Sequence, residues 1–358
     1  IYDYHEILDD PEIEAVSVCT PNLAHPTISI DFLRAGKNVL CEKPAARTYA
    51  EALEMQKAQH ETGKVLNIGV VNRFNENVNQ IRKLIADGAL GEVYHVYVSF
   101  RAHRSIPGLG GAFTTKAIAG GGALIDWGVH YLDIVMYCCG DPKPLTVSGE
   151  AFCKLGKDMP NYVYKSMWSE NTKDLNGTYD VDDSVTALIR TEGTVVTVHG
   201  AWAQNIGENE QYIDFIGDKA GIRLQYGKDF TIYTAEHGAL VEYKPQFKMR
   251  DHFQNEIDAF ITAGKAIQLV LKILLRQSGI PGIGRLDDTG FHGGFPFPLD
   301  FTFLQKRSGN KAGLPKGFCG RAVLAFTADP VLSAFPRCRR GSCCTPSPPR
   351  FRHIPAGG

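Results

Sequence analysis

Apolar residues along 1–75 fall into short dense runs, and the segments between them repeat with helical spacing. Glu14 to Thr20 reads as a buried strand stopped by Pro21. His25 to Ala35 reads as a helix carrying Ile28, Ile30, Phe32 and Leu33 and ending at Gly36. Asn38 to Cys41 is a second strand. Thr48 to His60 is a second helix, with Thr48 placed to cap it, Glu51 completing a capping box and Gly63 stopping it. Val65 to Val71 is a third strand, apolar on both faces. Near-continuous apolar strands separated by amphipathic helices predict a parallel α/β sheet.

The pattern changes after a further helix over Glu76 to Asp87. Glu92 to Ala102 alternates apolar and polar residues, as a half-solvated strand does. Strands are then expected at Leu145–Phe152, Asp183–Thr191, Thr194–Ala203, Gln211–Ile216, Ile222–Tyr226 and Phe230–Tyr233. Turn signals such as Glu192-Gly193 and Gly217-Asp218 separate them. The expected fold is therefore an α/β domain followed by an α+β domain with a largely antiparallel sheet. Residues 156–179 read as an irregular insertion, His252 to Ala263 as a helix, and Ala266 to Leu275 as a second possible helix.

Two segments carry chemistry. Cys41-Glu42-Lys43-Pro44 closes an apolar run, so it offers a lysine at the end of a buried strand. Gly120-Gly121-Gly122-Ala123-Leu124-Ile125-Asp126-Trp127-Gly128-Val129-His130 offers a carboxylate and an imidazole one helical turn apart, behind a glycine cluster. His130 has an ordinary pKa near about 6.5 and suits proton transfer at working pH. Lys43 suits stabilising a developing alkoxide. Taken singly, each feature reads as a surface charge or a helix cap. Asp133 beside the pair suggests a metal, but three ligands on one helix without a second segment argue against it. Asn72 and Arg73, just past the third strand, and Arg104 with Arg101 in a glycine-rich loop are candidate substrate contacts, although Arg73 could instead pair with Glu76. His199 and Trp202 read as sheet packing, and Tyr164 and Trp168 as candidates for the substrate mouth.

Composition changes this picture at one end only. The chain has 358 residues, a formal net charge of −1 and 22% charged residues. From Lys265 onward, however, 14 Lys and Arg face 4 Asp, leaving residues 1–264 with 24 basic groups against 35 acidic. Ten of the 19 prolines lie beyond Gly279. Residues 266–358 are accordingly expected to be a disordered or non-native tail. Its arginines lack aromatic interleaving or helical spacing, so no nucleic-acid partner is expected. The nine cysteines show no CxxC spacing, which points to reduced thiols in a cytoplasmic protein. No apolar run has membrane-spanning length.

Thr20-Pro21-Asn22 with His25, Ala35-Gly36-Lys37-Asn38-Val39 running into Glu42-Lys43-Pro44, and the Gly-Gly-Gly-x-Leu-x-Asp-x-Gly-x-His segment together resemble the Gfo/Idh/MocA oxidoreductases, over roughly residues 1–265. The resemblance implies a Rossmann-type domain over 1–75 that binds NAD or NADP, then a substrate and oligomerisation domain over 76–265 built on an open sheet. It implies oxidation of a sugar or cyclitol hydroxyl, or reduction of the matching carbonyl. Lys43 would be the catalytic lysine, Asp126 the substrate-orienting carboxylate and His130 the proton acceptor. Thr20, Pro21, Asn22, Glu42 and Lys43 would lie along the cofactor, with His25 nearby. A homo-oligomer through the open sheet is expected. The sequence departs from the family in lacking any G-x-G-x-x-G. The polypeptide as written is therefore expected to be a fragment, missing the first βαβ part, that binds NAD(P) poorly. Two alternatives stand beside the dehydrogenase: an NAD-dependent glycosidase of the same fold, and a non-catalytic relative acting as an interaction subunit.

Overall fold

In a computed structural model of the chain, residues 3–165 and 173–278 are described, the last 13 of them by backbone only. Trp168 and residues 279–358 lie outside the described residues, and with them most of the expected tail. The described residues all fall within one of two compact units, Ile1–Val323.

The first part alternates strand and helix: β1 (Ala15–Val18), α1 (His25–Arg34), β2 (Asn38–Glu42), α2 (Tyr49–Thr62) and β3 (Leu66–Gly69). The three strands pair in parallel in the order β1-β2-β3, with Val18 opposite Cys41 and Cys41 opposite Ile68. Apolar residues of the strands and both helices share one core of Phe32, Leu33, Val39, Cys41 and Met55. α2 starts on the expected capping box, the Thr48 side chain accepting from Glu51 N at 3.2 Å. It ends on Gly63 at φ +64, a conformation that costs other residues more. β1 departs from the expectation of burial on both faces: Ala15 and Ser17 are exposed.

A 3₁₀ turn over Val71–Phe74 and helix α3 (Glu76–Ala86) lead to β4 (Val93–Arg101). The short α4 (Lys116–Ala119), a π-helical turn over Leu124–Gly128 and α5 (Val129–Cys138) follow. The chain then adds β5 (Pro144–Phe152), β6 (Ser184–Thr191), β7 (Val195–Ala201), β8 (Glu210–Gly217), β9 (Ala220–Gln225), β10 (Phe230–Glu236) and β11 (Ala239–Tyr243). Together with β4 they form one eight-stranded sheet, order β11-β10-β9-β8-β4-β7-β6-β5, antiparallel except for β4 against β7. One face of the sheet packs on α3 and α5 through residues such as Ile81, Val98, Phe100, Ile134 and Phe215. The other face carries His95 stacked on Tyr97 and an Arg223–Asp214 ion pair over Tyr212.

β11 was not expected, since Ala239–Tyr243 is a short exposed edge with no burial period to reveal it. α6 runs without a break over His252–Ser278, where two helices were expected. Gly264 does not interrupt it, and a Cβ there would meet the Asn38 amide at 3.3 Å. The expected boundary at residue 265 thus falls inside this helix. α6 also returns to the first part of the chain: the Asn255 amide donates to Phe74 O at 3.3 Å, and Glu256 is buried. Among the described residues, no helix is long and apolar enough to cross a membrane.

Candidate active site

β1 and β2 end side by side, and the two loops that leave them are tied by one imidazole. His25, 1% exposed, has Nδ1 2.8 Å from Pro44 O and Nε2 2.8 Å from Thr20 O. A neutral imidazole carries one N–H and donates to one of these carbonyls at a time; a buried carbonyl without a donor costs about 1–3 kcal/mol, so the ring helps to hold the two loops together. The Thr20-Pro21-Asn22 turn is closed by Ala24 N donating to Pro21 O at 2.8 Å, and the Asn22 amide reaches across to Ala119 O at 2.8 Å. The Lys43–Pro44 peptide is cis.

Lys43 leaves the end of β2 toward the glycine-rich segment. Its Nζ donates to Asp126 Oδ1 at 2.8 Å and to Asp126 O at 3.1 Å. Trp202, fully buried just past β7, donates its indole N–H to Asp126 Oδ2 at 3.2 Å. Each carboxylate oxygen of Asp126 therefore has its own donor, one of them charge-assisted. The segment is held from behind by Asp182, whose carboxylate accepts from Gly122 N at 2.7 Å and Leu124 N at 3.0 Å. A Cβ at Gly122 would stand 1.9 Å from Asp182 O. That glycine serves a close approach between backbones, whereas Gly121 is the one that borders the cavity.

His130 opens α5, one helical turn beyond Asp126. Burial pushes its pKa down to about 3, and the nearby Lys43 charge pushes the same way. The imidazole is thus neutral at ordinary pH. Its Nδ1 lies 3.4 Å from the Asn72 amide nitrogen, which also donates to the Tyr226 hydroxyl at 3.2 Å. Tyr226 stacks on Tyr131, centroids 4.4 Å apart.

Lys43, Asp126 and His130 border one cavity of about 490 Å³ together with Thr20, Asn22, His25 and Glu42. Pro21 shapes the turn without bordering it, and Asn72 lies behind His130. Two expectations are corrected. Arg73 does not reach the cavity, nor does it pair with Glu76: its guanidinium clamps Asp133, with Nε 2.9 Å from Oδ2 and Nη2 2.6 Å from Oδ1. Arg104 is spent on Asn205 Oδ1 at 2.7 Å and lies over the Tyr162 ring. Conversely, Trp202 supports Asp126 where only sheet packing was expected. A buried indole N–H needs an acceptor, and that was the signal available in the sequence. Tyr226 was missed altogether, as nothing local distinguishes it from other strand-end tyrosines.

Residues 1–70 match the family model described as "Oxidoreductase family, NAD-binding Rossmann fold", and residues 78–223 match "GFO/IDH/MocA C-terminal domain". D-glucoside 3-dehydrogenase of Escherichia coli is 35% identical over 249 residues, covering 67% of this chain and 68% of that protein. The chain belongs to the Gfo/Idh/MocA oxidoreductase family. Levoglucosan dehydrogenase of Pseudarthrobacter phenanthrenivorans is 31% identical over 232 residues, which spans 60% of this chain and 55% of that relative. Among solved structures, a levoglucosan dehydrogenase in complex with NADH and levoglucosan superposes with a TM-score of 0.60 at 24% identity, covering 76% of this chain and 75% of that one. An oxidoreductase domain protein from Kribbella flavida gives 0.61 at 23%, covering 74% of each. These two likenesses bear on the fold: a parallel Rossmann-like sheet followed by a mainly antiparallel one. The family is one of NAD-binding oxidoreductases, and this Gfo/Idh/MocA chain places its cavity at the carboxyl ends of β1 and β2, where α/β sheets receive ligands.

Proposed function

We propose that this chain catalyses hydride transfer between NAD or NADP and a sugar or cyclitol hydroxyl or carbonyl, with Lys43 and His130 as the proton-transfer pair. The observation that carries the reading is the Lys43–Asp126 ion pair facing the neutral imidazole of His130 across one cavity. The names of the relatives, a glucoside and a levoglucosan dehydrogenase, support the substrate class. The donor set fits a nicotinamide riboside: Thr20, Asn22 and Glu42 border the cavity with His25, and Pro21 shapes the turn that carries the first two. When bound, the dinucleotide accepts or returns the hydride. The Lys43 ammonium hydrogen-bonds the reacting oxygen and stabilises alkoxide character there. Asp126 holds that ammonium in place, and His130 exchanges the hydroxyl proton.

The first part, 1–75, carries the cofactor and 76–265 the substrate. The open face of the eight-stranded sheet, with its exposed Tyr97 and Tyr233, is the surface for a second copy. A sugar and inositol panel followed at the nicotinamide absorbance band tests the reading, with release of aglycone from a chromogenic glycoside measured alongside. Because no G-x-G-x-x-G is present to hold the pyrophosphate, the panel is run at saturating dinucleotide, where turnover in the native chain and a loss of about 10²–10⁴-fold in both Lys43→Ala and His130→Ala are expected. Aglycone release without net reduction of the dinucleotide would favour the glycosidase, and normal turnover in either variant removes that residue from the mechanism.

A further inference from the structure

We propose that Asn72 is a positioning residue that sets the tautomer of His130 through an amide shared with Tyr226, and so decides whether Nε2 offers the substrate oxygen a proton or a lone pair. This rests on the hydride-transfer reading above. The amide nitrogen of Asn72 faces two groups at once, His130 Nδ1 at 3.4 Å and the Tyr226 hydroxyl at 3.2 Å. An amide N–H only donates, so Nδ1 is the acceptor, and a neutral ring then carries its proton on Nε2. Nδ1 is turned to Asn72, behind the cavity, which leaves Nε2 as the nitrogen on the cavity side. Burial and the Lys43 charge keep the ring neutral, so the tautomer is a real choice.

The arrangement can invert as a unit. If the amide turns over, Asn72 Oδ1 accepts from both Nδ1–H and the Tyr226 O–H, and Nε2 is bare. The form in the structure meets a carbonyl oxygen as a hydrogen-bond donor. The inverted form accepts the proton of an alcohol as its hydride departs. The contacts of Asn72 with Nδ1 and with the Tyr226 hydroxyl are kept in both, because the amide and the phenol each offer donor and acceptor. Asn72 is 9% exposed, so water competes weakly for these bonds. A carboxylate in its place would accept only, fixing Nδ1–H and favouring the imidazolium.

Nitrogen-15 NMR of the histidine rings in the full chain reads the tautomer without turnover, the His130 signals being identified by their loss in His130→Gln. The expected result at neutral pH is a neutral ring protonated on Nε2. A neutral ring protonated on Nδ1, or an imidazolium, overturns the proposal. Asn72→Asp is expected to move the ring to the Nδ1–H form and to shift the acidic limb of the kcat/KM profile for alcohol oxidation upward by about 1–3 pH units, as an adjacent opposite charge does. Ring signals and profile both unchanged would also overturn it. Should that variant fail to fold, the ring measurement on the native chain decides alone. Absence of turnover on every sugar and cyclitol at saturating dinucleotide would sink the oxidoreductase reading while leaving the tautomer result standing, so the two failures are distinguishable.

Discussion

The two walls of the cavity are built in different ways. The wall formed by residues 19–44 is local: two strand ends and their loops, joined by the buried His25 through two backbone carbonyls. The facing wall gathers single side chains from separate elements. Asp126 comes from a π-helical turn, His130 from α5 and Tyr226 from the end of β9, and behind them stand Asn72 from a 3₁₀ turn and Trp202 from the end of β7. Damage to the first wall is expected to appear as lost stability, because it removes bonds that hold the backbone. Damage to the second is expected to appear in rate beyond any loss of stability, because its groups meet the substrate.

The largest effect expected from this contrast lies in the second wall. Asp126→Ala leaves Lys43 Nζ without its carboxylate and the Trp202 indole N–H without its acceptor, and is expected to lower kcat/KM by about 10²-fold or more beside a stability loss of about 1–3 kcal/mol. Trp202→Phe removes the donor to Asp126 Oδ2 and empties part of a fully buried site, for a graded rate loss of about 10-fold beside a cavity cost in stability. Steady-state kinetics with thermal unfolding checks both. Rate losses that vanish under conditions where the variants are fully folded would break the contrast.

His25→Ala belongs to the first wall. It removes the N–H that Pro44 O or Thr20 O accepts and is expected to cost about 1–3 kcal/mol by denaturant titration. An unchanged midpoint would show that the loops hold without the imidazole.

A smaller, pH-dependent effect sharpens the comparison beneath the first wall. Burial, then the charge of Glu42, raises the Glu256 carboxyl from an ordinary 4.5 to about 7. Between these values the folded chain keeps a proton that the unfolded chain has released. The stability contributed by Glu256 is therefore complete below about 4.5 and declines as pH rises to about 7. Glu256→Gln is expected to remove that decline and to gain on the order of 3 kcal/mol at pH above 7, since each pKa unit between 4.5 and about 7 corresponds to about 1.4 kcal/mol. Parallel stability curves for the two proteins would refute the assignment.

The same division explains what could be read in advance. Lys43, Thr20, Asn22, His25 and Glu42 stand on strand ends whose apolar runs are visible in sequence, and Asp126 and His130 share one helical turn. Arg73 misled because its partner, Asp133, lies on α5, sixty residues away, where no local period points to it. Arg104 misled in the same way through Asn205. Tyr226 was invisible because its role arises from Asn72, 154 residues distant in the chain.

By itself, the sequence determined the alternation of strands and helices, the capping of α2, and the lysine and Asp/His segments, all of which follow from local periodicity and short-range hydrogen bonding. Only the tertiary structure decided which donors hold Asp126, which arginines are spent on partners away from the cavity, and which amide faces His130. Such pairings depend on how strands distant in the chain come into register. The physical reason is range: backbone propensity acts within a few residues, while the protonation and orientation of a buried group answer to whatever the fold brings against it.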